Sequence, residues 1–96
     1  MTKSDIINEV AKGTGLTKVE TEAVLEGIIH SISESLKRGE RIDIRGFGSF
    51  FVKERSARDA RNPATSEIIK LSKRYVPIFK VSKLLKESVN QSILEK

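Results

Sequence analysis

GFGSFFVKERSARDARNPATSEIIKLSKRYVPIF, residues 46–79, is the stretch whose reading decides the fold. Its ends, GFGSFFV (46–52) and YVPIF (75–79), are apolar enough to join a core, whereas much of the ribbon between them, residues 53–74, is not. Those 22 residues carry seven cations (Lys53, Arg55, Arg58, Arg61, Lys70, Lys73 and Arg74) against three anions (Glu54, Asp59 and Glu67). Their net of +4 is most of the chain's +5. Asn62-Pro63-Ala64-Thr65 has the residue order of a β-turn, with Asn first and Pro second. The stretch therefore predicts a long charged β-hairpin arm projecting from a small body. Two strands of about 10 residues would reach roughly 33 Å at ~3.3 Å per residue.

Upstream of the arm the hydrophobic period is two. Ile42 and Ile44 alternate with Arg41, Asp43 and Arg45, as in a half-buried strand. Gly46 and Gly48 bracket Phe47 at a tight turn. Phe50 and Val52 continue the inward face, and Phe51 falls on the other. Further back the period becomes helical. Val24, Leu25, Ile28, Ile29, Ile32 and Leu36 cover a face of roughly 140° at ~100° per residue, wide enough to meet both its own subunit and a partner. That helix starts at a capping box, Thr17-x-x-Glu20, with Leu16 placed for a hydrophobic staple. It runs to about Arg38, where Lys37 and Arg38 suit the negative end and Gly39 the residue after it. Before it, Thr2-x-x-Asp5 opens a first helix carrying Ile6, Ile7, Val10 and Ala11, which Gly13 and Gly15 are expected to end. After the arm, Ser82 is a good N-cap for a last helix over about residues 83–93. The expected fold is α+β: two N-terminal helices, a three-stranded antiparallel sheet with a long β-hairpin arm, and a C-terminal helix.

A chain of 96 residues predicts one domain, 1–96, with the arm at 53–74. Only about 75 residues are then left to build a core, and small bodies bury a low fraction of their surface. There is no cysteine, so neither a disulfide nor a thiolate metal site compensates. Oligomerisation is the remaining remedy, and a dimer is expected. The cysteine-free composition fits a reducing cytoplasm. MTKSDIINEV lacks the apolar run of a signal peptide, and no apolar stretch approaches the ~20 residues of a bilayer span. A cytoplasmic protein without membrane contact is expected.

Charge is distributed unevenly. Residues 1–44 carry a net of −2, residues 45–86 a net of +8, and residues 87–96 a net of −1. The front of the chain reads as a solvated scaffold and the later part as a binding device. A pI near 9.7 points to nucleic acid, with no long basic amphipathic helix to favour lipid. Ribbon cations can also protect an exposed strand edge, but that role predicts mixed charge. The excess of cations favours phosphate contact. Arg58 and Arg61, nearest the tip, are the candidates for groove insertion. Lys53, Arg55, Lys70, Lys73 and Arg74 would follow the backbone. Lys83 and Lys86 on the last helix, and Lys3 at the first helix's start, follow because helix N-termini favour phosphate.

Catalysis has no support in the residues. There is no Gly-rich phosphate loop, nucleophile elbow or His/Asp pairing. His30, the single histidine, lies among apolar helix positions and has no second ligand for a metal. Glu20, Glu22, Glu26 and Glu34 read as a solvated helix face. No catalytic residue, metal, cofactor or small-molecule substrate is expected.

Gly46-Phe47-Gly48-Ser49-Phe50, Arg55, Arg58, Arg61-Asn62-Pro63-Ala64-Thr65 and Val76-Pro77-Ile78-Phe79-Lys80 resemble the bacterial HU and integration host factor family. Lys83, Leu85, Lys86 and Val89 extend the match, and the two opening helices agree in length and placement. The resemblance covers residues 2 to about 90, and GFGSF followed by RNPAT at this distance is a specific signal. It implies an intertwined dimer, homodimeric or formed with a paralogous subunit, whose two β-arms wrap double-stranded DNA. It also implies that Asn62 and Pro63 at the tip and Lys80 after the return contact the DNA, and that Pro63 wedges between base pairs; minor-groove architectural binding is described for that family itself. The implied function is an architectural, nucleoid-associated protein that kinks duplex DNA and compacts or remodels the nucleoid. Two rivals remain: an interaction or assembly module that uses the ribbon, and a binder of structured RNA or branched DNA. The chain departs from the family at Ala60 and Ser66, where glycine is usual and would ease positive φ. It departs again at Val81-Ser82, where the family usually has Pro-Gly. Lys73-Arg74-Tyr75 brings the returning strand closer to the integration host factor β pattern.

Overall fold

The computed structural model describes all residues from 1 to 96. Residues 1–35 and 36–96 form two compact units. In the first, helix α1 (Lys3–Thr14) is followed by helix α2 (Lys18–Lys37), which runs on to the start of the second unit. Both start at reciprocal caps. The Asp5 N–H donates to Thr2 Oγ1 at 3.3 Å, and the Thr2 N–H donates to Asp5 Oδ2 at 2.8 Å. Thr17 and Glu20 repeat the exchange at 3.1 Å in each direction. Each exchange satisfies N–H groups that a helix start leaves open.

Gly13 does not end α1; it lies within the helix, where ordinary φ suffices. Gly15 alone makes the stop, at φ 80°, with its N–H on the Ala11 carbonyl at 2.9 Å. Of the apolar side chains only Ile7 and Ala11 are buried, at 7% and 8% exposure. Thr21 is buried too, and its hydroxyl is satisfied by the Thr17 carbonyl at 2.8 Å. Val24, Ile28 and Ile29 on α2 remain 48–56% exposed, and an apolar cleft of about 170 Å³ lies open between Ile7, Val10, Val24 and Ile28.

The second unit holds strands β1 (Ile42–Ile44), β2 (Gly48–Arg55), β3 (Arg58–Arg61), β4 (Ile68–Leu71) and β5 (Arg74–Val81), then helix α3 (Lys83–Leu94). An antiparallel sheet has the order β1-β2-β5, with β2 central. The turn into β2 places Gly46 at φ 81° and returns the Phe47 N–H to the Ile44 carbonyl at 3.0 Å. Gly48 is required by close approach. A Cβ there would lie 2.5 Å from the Lys80 carbonyl oxygen and 2.6 Å from the Phe79 ring. That ring packs at 5.2 Å from Phe47 and 4.8 Å from Phe50 between centroids. Pro77 stands on edge strand β5, where a missing N–H is tolerated. Ser82 caps α3, its Oγ accepting the Leu85 N–H at 3.1 Å, while its own N–H donates to the Phe47 carbonyl at 2.9 Å.

The expected three-stranded sheet with its hairpin arm is present, but the hairpin is not one ladder: its tip pairs as a separate two-stranded sheet, β3 with β4. Pairing of β2 with β5 stops at Arg55 opposite Arg74, and pairing of β3 with β4 begins at Arg58 opposite Leu71. Residues 56–57 and 72–73 lie outside both ladders. Like charges meet at the first boundary, and Ser56, Ala57 and Ser72 offer little cross-strand packing to hold the junction.

Candidate nucleic-acid interface

Side chains directly across an antiparallel ladder share a face, and neighbours along a strand alternate. The β2–β5 register therefore sorts the sheet into two unlike surfaces. On one, Phe50, Val52 and Glu54 face Phe79, Pro77 and Tyr75. On the other, Ser49, Phe51, Lys53 and Arg55 face Lys80, Ile78, Val76 and Arg74. Four of the predicted cations, Lys53, Arg55, Arg74 and Lys80, thus come together on the surface opposite the aromatic cluster. On β1, Asp43 joins this face across from Ser49. Its carboxylate accepts the Ser49 hydroxyl and, at 3.0 Å, the Arg41 Nε–H. Those two bonds, Ser49's first, hold the Asp43 pKa below the usual carboxylate value.

The tip ribbon distributes its cations differently. Arg58 and Ala60 lie on one face with Leu71 and Ile69, whereas Arg61 and Asp59 lie on the other with Ile68 and Lys70. Arg58 and Arg61 therefore point to opposite sides of the ribbon. Asn62 closes the loop: its side-chain oxygen accepts the Ala64 N–H at 2.9 Å, and its carbonyl accepts the Ser66 N–H at 2.7 Å. Its own N–H donates to the Glu67 carbonyl at 2.9 Å. Pro63 is the second residue of this turn, as its order implied, but the turn closes at Ser66, one residue later than the β-turn expected over 62–65. Ser66 stands at φ 63°, the one non-glycine residue with positive φ.

Three predicted cations have partners within the chain. Lys73 Nζ is 3.2 Å from Glu54 Oε1 and 5.7 Å from the Tyr75 ring, two residues of the aromatic surface. Lys3 donates to Glu26 at 2.6 Å, a bond that raises the Lys3 pKa and lowers that of Glu26. Lys83, at the first position of α3, lies 4.0 Å from Glu87 and is largely exposed. Lys86 is exposed in the first turn of α3. Such exposed pairs are weak and yield to a stronger anion.

Sequence reasoning missed Arg41 and Arg45. Arg41 lies 5.3 Å from the centre of the Phe51 ring. Arg45 lines a concavity of about 390 Å³ with Lys80 and Lys83. Their alternation with Ile42 and Ile44 marked them as outward-facing, but only the pairing of β1 with β2 and of β2 with β5 puts them beside Lys80 and Lys83. His30 is exposed, and no cluster of three metal-ligating side chains occurs.

Comparison with known proteins agrees with this geometry. The family model described as bacterial DNA-binding protein matches residues 1–90. HU-beta of Serratia marcescens is 44% identical over 90 residues, 94% of this chain and all of that protein. Integration host factor subunit beta of Colwellia psychrerythraea is 47% identical over 94 residues, 97% of this chain and 99% of that one. The solved Anabaena HU–DNA cocrystal superposes with a TM-score of 0.85 at 37% identity, covering 93% of this chain and 97% of that one. Matched along nearly its whole length in sequence and in fold, the chain belongs to the bacterial DNA-binding protein family of HU and integration host factor.

Proposed function

We propose that this chain is an architectural protein that binds duplex DNA and bends it through the minor groove. The observation that carries this reading is the one-sided charge of the β2–β5 surface. Arg55 stands directly across from Arg74, with Lys53 and Lys80 on the same face. Like charges placed opposite one another weaken a ladder. A polyanion turns that repulsion into shared attraction and releases counterions. Cations on both faces of the tip ribbon suit a strand pair with a phosphate wall on either side, as in a groove. Asn62 and Pro63 at the tip would make the kink, with Pro63 as the wedge. Arg58, Arg61 and Lys70 would lie along the groove. Lys3, Lys83 and Lys86, in first turns of helices, would take flanking phosphates. Lys73, which lies toward Glu54 and Tyr75 on the aromatic surface rather than on the cationic one, contributes least. Selectivity would come from the deformability of the kinked step rather than from a base code.

The acting species is a dimer. Val24, Ile28 and Ile29 on α2, with Phe47 and Phe79 at 46% and 42% exposure, are apolar surface that a partner chain must cover. Residues 1–96 act as one domain, with the arm at 53–74, that completes its core only by sharing it. Relatives named as integration host factor subunits alpha and beta support a partner that is identical or paralogous. No helix is long and apolar enough to cross a membrane. The role is structural rather than catalytic, and bending the chromosome places the protein in the cytoplasm on the nucleoid.

Titration of a short duplex at two salt concentrations tests the reading. Affinity should fall steeply between them; a constant affinity overturns DNA binding in favour of a protein-interaction module. Competition among duplex, cruciform and RNA should favour bent or flexible duplex. A stable folded monomer in sedimentation overturns the dimer.

A further inference from the structure

The cationic surface of the sheet is not uniformly polar. Along β5 it runs Arg74, Val76, Ile78, Lys80, so that two apolar residues lie between cations about 20 Å apart at ~3.3 Å per residue. Phe51 faces Ile78 across the ladder and widens the strip. The Arg41 guanidinium covers part of that ring and is itself held by Asp43. Phe51, Val76 and Ile78 are half-buried, so the strip adjoins solvent.

We infer that Phe51, with Ile78 and Val76, forms an apolar floor that packs against deoxyribose faces of the bound duplex and supplies a salt-independent part of the affinity. This rests on the DNA-bending reading above. The occupant follows from chemistry. A partner for this face must carry negative charge at its margins and apolar surface between. A sugar–phosphate backbone has that alternation, with phosphates for the cations and sugar carbons for the strip. A second copy presenting the same face would bring cation against cation. Arg41 shields the ring in the free protein and turns toward a phosphate as the sugar replaces it.

The test is affinity for one short duplex at three salt concentrations, measured for the full chain and for Phe51→Ala and Phe51→Leu. The wild-type slope comes first: a flat dependence overturns the DNA reading itself and leaves the strip without its occupant. With a steep wild-type slope, Phe51→Ala should bind about tenfold more weakly per protomer at every salt, since the lost contact is apolar area. The slope of log affinity against log salt should not change, and Phe51→Leu should fall between. Thermal unfolding of the free variants controls for folding; if the alanine variant does not fold, the leucine variant should still show about a threefold loss at constant slope. Equal affinity in a folded variant overturns the inference. So does a changed slope, which would make Phe51 a support for Arg41, or a changed oligomeric state with DNA affinity intact, which would assign the strip to the dimer seam.

Discussion

Ser66→Gly should stiffen the arm tip. Ser66 occupies φ 63°, the region where an L side chain crowds the following carbonyl. Relieving that crowding is worth about 1–2 kcal/mol, and the added freedom of glycine in the unfolded chain returns about 0.5–1 kcal/mol, leaving a net of about 0.5–1 kcal/mol. The gain is local. The loop is held by the Asn62 N–H to the Glu67 carbonyl and by the Ser66 N–H to the Asn62 carbonyl. Behind these lies a ladder of only two strands, which is marginal alone. Tip opening is therefore frequent, and its suppression by the variant is measurable by amide hydrogen exchange. The Asn62 amide is the better probe because neither it nor its preceding neighbour is altered. Its protection should rise about two- to fivefold, while amides of β2 and α2 keep theirs. Ser66→Val, β-branched at positive φ, should lower it. Unchanged or faster exchange at Asn62 in Ser66→Gly would refute the view that Ser66 is strained. On DNA the same variant should bind tighter by no more than this factor per arm, since only an ordering cost is removed.

Other expectations are more direct. Replacing Pro63 by Ala should reduce the bend angle read by energy transfer across a short duplex; an unchanged angle at saturation removes the wedge. Arg58→Gln with Arg61→Gln should reduce the salt slope by about 0.9 per lost phosphate contact, whereas Lys73→Gln should change it less than half as much, because Lys73 lies toward Glu54 and Tyr75 on the aromatic surface. Gly48→Ala should destabilise by about 1–3 kcal/mol in denaturant unfolding, through overlap with the Lys80 carbonyl and the Phe79 ring. Gly13→Ala, in the last turn of α1 with open space at its Cβ, should stabilise by at most about 0.5–1 kcal/mol. Acid should loosen the helix starts. The Thr17 and Thr2 N–H groups hold the Glu20 and Asp5 carboxyls below their ordinary values of 4.5 and 3.8. Groups depressed on folding stabilise above the ordinary value and lose that contribution as pH falls through the folded one. Helical circular dichroism should therefore decline below about pH 4, and less steeply in Glu20→Gln, which lacks the titrating carboxyl.

Features set by a few consecutive residues were legible in the sequence. The capping boxes at Thr2 and Thr17 span only three peptide bonds, and the hydrophobic spacing of α1 and α2 needs only helical geometry. The arm showed itself by composition, since a stretch so rich in cations has little to bury. Gly13 was misread because a glycine near a helix end looks like a stop until the geometry shows which one carries positive φ. The interruption at residues 56–57 and 72–73 was hidden, because each strand alone looks continuous across it.

The sequence by itself determined the elements, their order, the charged hairpin and Pro63 at its turn. Period-two alternation also says which residues of one strand share a face. It does not say what lies across from them, because register depends on a separate partner strand, 19 residues on at Arg55 and 33 at Gly48. Tertiary pairing alone decided that Arg55 meets Arg74, that Lys53 and Lys80 join them beside Phe51, and that Arg58 and Arg61 part to opposite faces. It also decided that Lys73 turns to Glu54 and that Ser66, lacking a glycine's freedom, still closes the tip at positive φ. Local chemistry selects a conformation for each short segment, whereas a binding surface is assembled from side chains that only the ladder brings together.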